Sequence, residues 1–311
     1  MKSPPPTWLL SEPYAGLQAQ GLGLAEAAGL PARIQPLMPR APWRWLAART
    51  WPAPLAAVGM APPFPELAIG VGGVGAAVGA ALRRRGVRIV QVQHPRMPPD
   101  RFDLIVAARH DEIAGPNVIV TRTALHRVTK ARLAAAAAEW APRFASLPRP
   151  LVAVLVGGAN GRFRLDRAIA ARLAAELATM MRQDGVGLAA TPSRRTDPEA
   201  AMAFREAIAP LGGYVWDGKG ENPYFGLLAL ADAIIVTIDS VSMISEAVAT
   251  EAPVMLAPLP GRSRRNRLFV AAMEQCGRAR PFSGRFALWP VTALNDTAEA
   301  AAEMRRRLGL D

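Results

Sequence analysis

Cysteine is almost missing from this chain, and that scarcity removes several kinds of protein at once. Cys276 stands alone, so neither a disulfide framework nor a cysteine-ligated zinc site can be built. A reducing, cytoplasmic compartment is expected. Histidine is scarce too, with His94, His110 and His126 alone, and their spacing fits no helical two-histidine zinc motif. Long apolar runs are absent. The longest uncharged one, residues 67–82, is short for a bilayer span and rich in glycine, so no transmembrane helix is expected. Residues 1–6, MKSPPP, lack the apolar core of a signal peptide. Negative charge is in deficit, leaving a formal net charge of +12. Up to Pro148, 17 Lys and Arg face 8 Asp and Glu, whereas the remainder has 20 against 17. A basic first half points to an anionic partner, either a phosphorylated substrate or an anionic lipid. Nucleic acid is not expected, because neither an aromatic-and-basic platform nor a reader motif occurs. An arginine-rich, alanine-rich composition also arises from a GC-rich genome and then needs no partner.

What is present is a repeated strand-and-helix rhythm in a chain of 311 residues, 51% of them apolar, enough for two packed domains. Residues 213–256 carry the densest signal. A loop at 216–223 and a short helix-like run at 224–231 lead into residues 233–238, a β-branched apolar segment that reads as a buried parallel strand. Asp239, Ser240 and Ser242 stand at its carboxyl end, before a helix over 243–250. A strand feeding a hydroxyl-rich turn and a helix amino terminus is suited to anions, because unpaired N–H groups and the positive dipole end meet there. Glu246 falls about one turn further along. The alternative is that the serines merely cap the helix and Glu246 is solvated.

Earlier segments repeat the pattern. Residues 7–10 read as a first strand, with Glu12 in the turn beyond it and a helix over 17–28. Residues 41–51, APWRWLAARTW, read as a short helical segment that interleaves tryptophan with arginine. That composition suits a membrane surface, and equally a helix packed on its own domain by its tryptophans. Gly70-Val71-Gly72-Gly73-Val74-Gly75 fits a dinucleotide fingerprint in spacing, but the next strand, 88–93, is followed by His94-Pro95-Arg96 with no carboxylate for a ribose. Those glycines are read as letting a helix approach a strand closely. The three histidines all follow expected strands of this half, which raises the chance that one of them lines a cleft.

A helix over 131–141 leads to a proline cluster at 147–150, the linker candidate. Residues 151–156 then form a buried strand, followed by the loop Gly157-Gly158-Ala159-Asn160-Gly161, a helix over 165–183, a strand over 187–190 and the loop 191–196 with Ser193, Arg194 and Arg195. Backbone amides at Gly157 and Gly158, the paired arginines, and the hydroxyls over a helix terminus would form one diphosphate-binding ledge. Solvation of the two arginines is the competing account. The expected fold class is α/β, two Rossmann-like domains at 1–148 and 149–311, with the final helix, 297–308, packing back on the first.

Several strings in this order resemble the elongated-mitochondria family, the plant mitochondrial-fission factors and their bacterial relatives. They are HDEIAGPNVIVTRTALHR at 110–127, TPSRRT at 191–196, ENPYF at 221–225 and VTIDSVSM at 236–243 with Ser245-Glu246-Ala247. Two departures occur. The amino-terminal turn has Gly16-Leu17 where the family carries a polar step, and Thr250-Glu251-Ala252-Pro253 replaces Thr-Gly-Lys-Pro. The resemblance implies a GT-B-like architecture and, by similarity to glycosyltransferases of that class, a nucleotide diphospho-sugar as substrate on the second domain, with Glu246 holding the ribose. Neither a cofactor nor a metal is implied. Residues 216–222, with Trp216 and Asn222, would cover the base. An acceptor hydroxyl would be activated by His110 with Asp111 beside it, ahead of Glu12. The function expected from this likeness is sugar transfer to an anionic or lipid-linked acceptor, the protein being cytoplasmic and peripheral to the inner membrane. A non-catalytic membrane-associated scaffold and a nucleotide-sugar epimerase are the alternatives.

Overall fold

Strands that bury every side chain need helices on both faces, and this chain builds that arrangement twice. A computed structural model describes residues 4–310, and packing divides the chain into unit 1, residues 1–127 with 295–311, and unit 2, residues 128–294. In unit 1 the elements are β1 (Thr7–Ser11), α1 (Ala15–Ala27), β2 (Ala32–Pro36), α2 (Pro54–Ala57), β3 (Leu67–Val71), α3 (Gly72–Arg83), β4 (Arg88–Val92), β5 (Leu104–Ala108) and β6 (Val118–Thr121). The six strands are all parallel, in the order β2-β1-β3-β4-β5-β6. Unit 2 begins with α4 (Lys130–Phe144) and continues through β7 (Leu151–Val156), α5 (Arg167–Asp184), β8 (Gly187–Pro192), α6 (Pro198–Ile208) and β9 (Tyr214–Val215). It ends with α7 (Tyr224–Leu230), β10 (Ala233–Thr237), α8 (Val241–Val248), β11 (Val254–Ala257), α9 (Arg264–Gln275) and β12 (Ala279–Pro281). Its parallel order is β12-β11-β10-β7-β8-β9. The last helix, α10 (Thr297–Leu308), belongs to unit 1.

Both sheets are therefore α/β and doubly wound. Along β7, Val152, Val154 and Val156 face the core made with α5 and α6, while Leu151, Ala153 and Leu155 face the core made with α4, α7 and α8. That alternation is the period of two of a strand buried on both sides. Helix ends follow local chemistry. Asp166 caps α5 by accepting from the Ile169 N–H at 2.9 Å, and Gly185 closes that helix in the left-handed region at φ 65°. Among the described residues no helix is long and apolar enough to cross a membrane.

Three local expectations change. Packing divides the chain after Arg127, ahead of the prolines at 147–150, because α4 joins unit 2. That helix also runs through Pro142, beyond its expected end at 141. Trp140 and Phe144 stack at 5.7 Å and Phe144 meets the Tyr214 ring at 5.4 Å, burial that offsets the one backbone bond a proline forfeits. Residues 41–51 form no regular helix but two 3-10 turns, Trp43–Trp45 and Ala48–Thr50. The glycines of α3 do serve close approach: a Cβ on Gly75 would lie 2.8 Å from the Leu10 carbonyl oxygen.

Candidate functional site

In an open parallel sheet, ligands collect where winding reverses, outside the carboxyl ends of the two strands that diverge there. In unit 2 those strands are β7 and β10. The loops that follow them, with the loop after β8, bring together most of the residues singled out from the sequence.

Asp239 organises this place. Its side chain is fully buried. It accepts from the Thr237 hydroxyl at 2.7 Å, the Gly158 N–H at 3.0 Å and the Arg195 guanidinium at 3.0 Å. The same Thr237 oxygen accepts from the Gly157 N–H at 2.8 Å. A carboxylate removed from water costs several kcal/mol unless donors replace the lost hydration, and these three do so. The consequence for the proposed ledge is direct. The amides of Gly157 and Gly158 and the Arg195 head are committed to Thr237 and Asp239. A Cβ at Gly157 would overlap the Asp239 carboxylate, and one at Gly158 would overlap the Arg195 backbone. These glycines make room for an internal ion pair. Ser193 works in the same framework, donating to the Gly157 carbonyl at 3.0 Å and accepting from the Arg195 N–H at 3.2 Å.

Other polar groups lie around them. Ser240 caps α8, its oxygen 3.4 Å from the Met243 N–H, and Ser242 lies half-buried in the first turn. Arg194 is exposed, beside the committed Arg195, and carries no ion pair among the described residues. Glu246, one turn into α8, is only 9% exposed. Its Oε2 accepts from the Tyr224 hydroxyl. Burial pushes the Glu246 carboxyl up to about 7, against the opposing pull of the Tyr224 hydrogen bond. The Tyr224 hydroxyl is itself raised by burial and by the neighbouring carboxylate.

Asn222 stands at the start of α7, accepting from the Tyr224 N–H at 3.0 Å and the Thr191 hydroxyl at 3.3 Å. Trp216 follows β9 and donates its indole N–H to the Lys219 carbonyl at 2.9 Å, closing its own turn. Tyr224 and Thr237 were not singled out from the sequence. Thr237 is the last residue of its strand and bonds two positions on. Tyr224 is legible only through the string ENPYF, since nothing in the spacing ties it to a glutamate 22 positions away.

The proposed catalytic residues of unit 1 do not converge. Glu12 follows β1, at that sheet's own β1/β3 reversal, half-buried, and burial raises its carboxyl above the ordinary value. His110 and Asp111 lie in a 3-10 turn after β5, with His110 only 6% exposed. With β3 and β4 interposed, Glu12 is separated from them by roughly 14 Å at ordinary strand spacing. His126 is buried and held neutral, pushed down to about 4 by burial with Asp296 opposing.

The family model described as Mitochondrial fission ELM1 matches residues 15–308. The chain is 32% identical over 274 residues to the mitochondrial fission protein ELM1 of Arabidopsis thaliana, across 78% of this chain and 64% of that protein. It thus spans less than two thirds of that relative's length. It is 25% identical over 258 residues to an uncharacterised protein of Rickettsia prowazekii, across 70% of this chain and 72% of the other. Among solved structures it is similar to the UDP-GlcNAc 2-epimerase of Methanocaldococcus jannaschii, with 12% identity, a TM-score of 0.57 and coverage of 98% and 99% of the two chains. The epimerase of Neisseria meningitidis, bound to UDP-GlcNAc, matches at 9% identity and TM-score 0.52, covering 98% and 91%. MurG of Acinetobacter baumannii matches at 15% and 0.51, covering 97% and 93%. At such identities the likeness is one of fold, the α/β type with paired Rossmann-like units found in GT-B glycosyltransferases and related epimerases.

Proposed function

The chain belongs to the mitochondrial fission ELM1 family, and on that premise we propose that unit 2 binds a nucleotide diphospho-sugar and that the protein transfers the sugar to an anionic or lipid-linked acceptor at a cytoplasmic membrane face. The observation that carries this reading is the grouping of Ser240, Ser242 and Glu246 on α8 at the β7/β10 reversal of unit 2, with Arg194 on the loop that follows the neighbouring β8. A departing diphosphate develops negative charge and needs fixed donors where that charge appears. The amino end of α8 with its two serines, and the unpaired Arg194, meet that requirement. Glu246 would accept from the ribose hydroxyls through the oxygen that Tyr224 leaves free. Neighbours of similar fold are described with UDP or UDP-GlcNAc bound, which supports this ligand class. Asp239, Gly157, Gly158, Ser193 and Arg195 act as the frame that fixes the loops. Trp216 and Asn222 are proposed to border the base.

For the acceptor, Glu12 is the better-placed base: it is half-buried with a raised pKa, at the strand reversal of unit 1, whereas His110 is enclosed. UDP at millimolar concentration is expected to raise the melting temperature of the wild type by a few degrees, the size that about a hundredfold excess over Kd gives. Glu246→Ala and Arg194→Ala should each reduce that shift. Glu12→Gln should keep it and remove transfer. The commitment of Gly157, Gly158 and Arg195 to internal bonds favours a second reading, a non-catalytic scaffold. Absence of any UDP, ADP or GDP effect on the wild type decides for it. Donor turnover without an acceptor would instead indicate an epimerase.

A further inference from the structure

Unit 1 carries a second feature that the nucleotide reading does not use. The connection from β2 to α2 lies against the carboxyl half of α3, and together with residues 97–101 it lines a solvent-open groove of about 440 Å³. Trp51, Met97, Ala77 and Ala80 give it an apolar lining. Its other walls hold four arginines, Arg49, Arg83, Arg84 and Arg101, against one carboxylate, Asp100. Arg83 is engaged, bonded to Asp103 at 3.0 Å and to the Asp100 carbonyl at 2.8 Å. Arg49, Arg84 and Arg101 are exposed and take no ion pair among the described residues. Three unpaired guanidinium groups around an apolar lining, against the single carboxylate of Asp100, leave an excess of positive potential.

The same connection divides its aromatic residues by role. Trp43 and Ala48 pack with Trp51, Ala57, Ala77 and Met97, which anchors the segment. Trp51 further donates its indole N–H to the Leu46 carbonyl at 3.3 Å. Trp45 and Leu46, by contrast, are 69% and 51% exposed, and Met38 is 67% exposed. The Arg44 guanidinium lies over the Trp45 ring at 4.7 Å. Bulky apolar tips on a rigidly rooted segment, beside unpaired arginines, match the chemistry of a lipid interface: apolar groups enter the acyl boundary while cations meet headgroup phosphates.

We propose that this face of unit 1 docks on an anionic phospholipid bilayer, with Trp45 and Leu46 entering the interface and the Arg49–Arg84–Arg101 groove receiving a phosphate headgroup. The proposal is independent of nucleotide binding. Its test is flotation of the 311-residue chain with vesicles of phosphatidylcholine alone or mixed with phosphatidylglycerol. The wild type should bind the anionic vesicles and not the neutral ones. Arg84→Ala with Arg101→Ala should lower the partition coefficient about tenfold or more, since each arginine near a charged surface contributes roughly fivefold. Removing the same charge elsewhere, by Arg172→Ala with Arg182→Ala in the exposed face of α5, should change it less than about twofold. Trp45→Ala with Leu46→Ala should abolish the binding that survives high salt, and Trp45→Phe should restore it. Thermal melts of each variant establish that the fold is intact. Failure of the wild type to bind anionic vesicles overturns the proposal, as does an equal loss in both arginine pairs. Stabilisation by inorganic phosphate that needs Arg84 and Arg101, without vesicle binding, assigns the groove to a soluble phosphate. Binding of an RNA duplex in place of vesicles would give the face to nucleic acid.

Discussion

At the scale of single residues, Glu246 and Asp239 show how differently two buried carboxylates on neighbouring elements are supplied with donors. Asp239 is buried with three donors around it, whereas Glu246 is buried with one. Desolvation therefore wins at Glu246 and raises it to about 7. The folded state holds that proton more tightly than the unfolded chain does. The stabilising contribution is complete below the unfolded value of 4.5 and is lost as pH rises through about 7. Above that range the buried charge costs about 3 kcal/mol. Glu246→Gln keeps an acceptor for Tyr224 and removes the titration. Its melting temperature should match the wild type near pH 4 and exceed it by about 5 °C at pH 8, read by calorimetry across that range. A constant difference between the two proteins at all pH values would refute the assignment. Residue identities at this site were readable from the chain; their commitments were not. A glycine pair after a strand looks like a phosphate cradle until Asp239, more than 80 positions later, is found occupying it.

Elements raise a different question, namely what holds α8 in register while its amino end is left for a ligand. The other end supplies the answer. Arg278, buried just before β12, donates to the carbonyls of Val248, Thr250 and Ala252 at 2.9, 3.1 and 3.2 Å. It satisfies the orphan carbonyls and offsets the negative dipole end. These bonds reach the Thr250-Glu251-Ala252 turn, where the chain departs from the family's glycine. Arg278→Met keeps the aliphatic stem but strands the Thr250 and Ala252 carbonyls, while Val248 keeps the Leu294 N–H, so a loss of about 2–4 kcal/mol is expected in urea unfolding. A loss within the ±0.5 kcal/mol or so of an ordinary surface change would mean the cap is idle. Legibility also varied by element. The strand at 151–156 and the helix at 297–308 were readable to the residue, because uniform burial and an amphipathic repeat leave one answer. Residues 41–51 were not, since Trp43, Trp45 and Trp51 follow no period, and the two 3-10 turns come from tertiary packing against α3. The passage of α4 through Pro142 was hidden for the same reason, its compensation lying in Tyr214.

On the scale of the whole molecule, the chain leaves unit 1 after Arg127 and returns to it at Asn295. The resemblance to a GT-B-like architecture leads us to expect the last helix on the first domain. The attachment is made by several kinds of bond. Ala300, Ala301 and Met304 enter the core beside Leu24, Ala25 and Ala28. Asp296 pairs with Arg122, Arg305 donates to the Ala28 carbonyl at 2.8 Å, and Arg88 donates to the Leu308 carbonyl at 3.1 Å. Leu294, the residue before, belongs to the other core and donates its N–H to the Val248 carbonyl at 2.8 Å. Truncation after Leu294 therefore removes a wall of unit 1 and leaves unit 2 whole. Loss of Met304 and the two alanines, with the buried Asp296 pair, is worth more than about 4 kcal/mol to unit 1. Hydrogen exchange read by mass spectrometry should show protection lost in β1, β3 and β4 and retained in β7, β8 and β10. A UDP-dependent stabilisation, where present in the full chain, should persist in the truncated one, because every residue proposed to contact the nucleotide lies in residues 128–294. Loss of protection spread evenly over both sheets would mean that the two units fold as one cooperative body and that the division drawn from packing has no energetic counterpart.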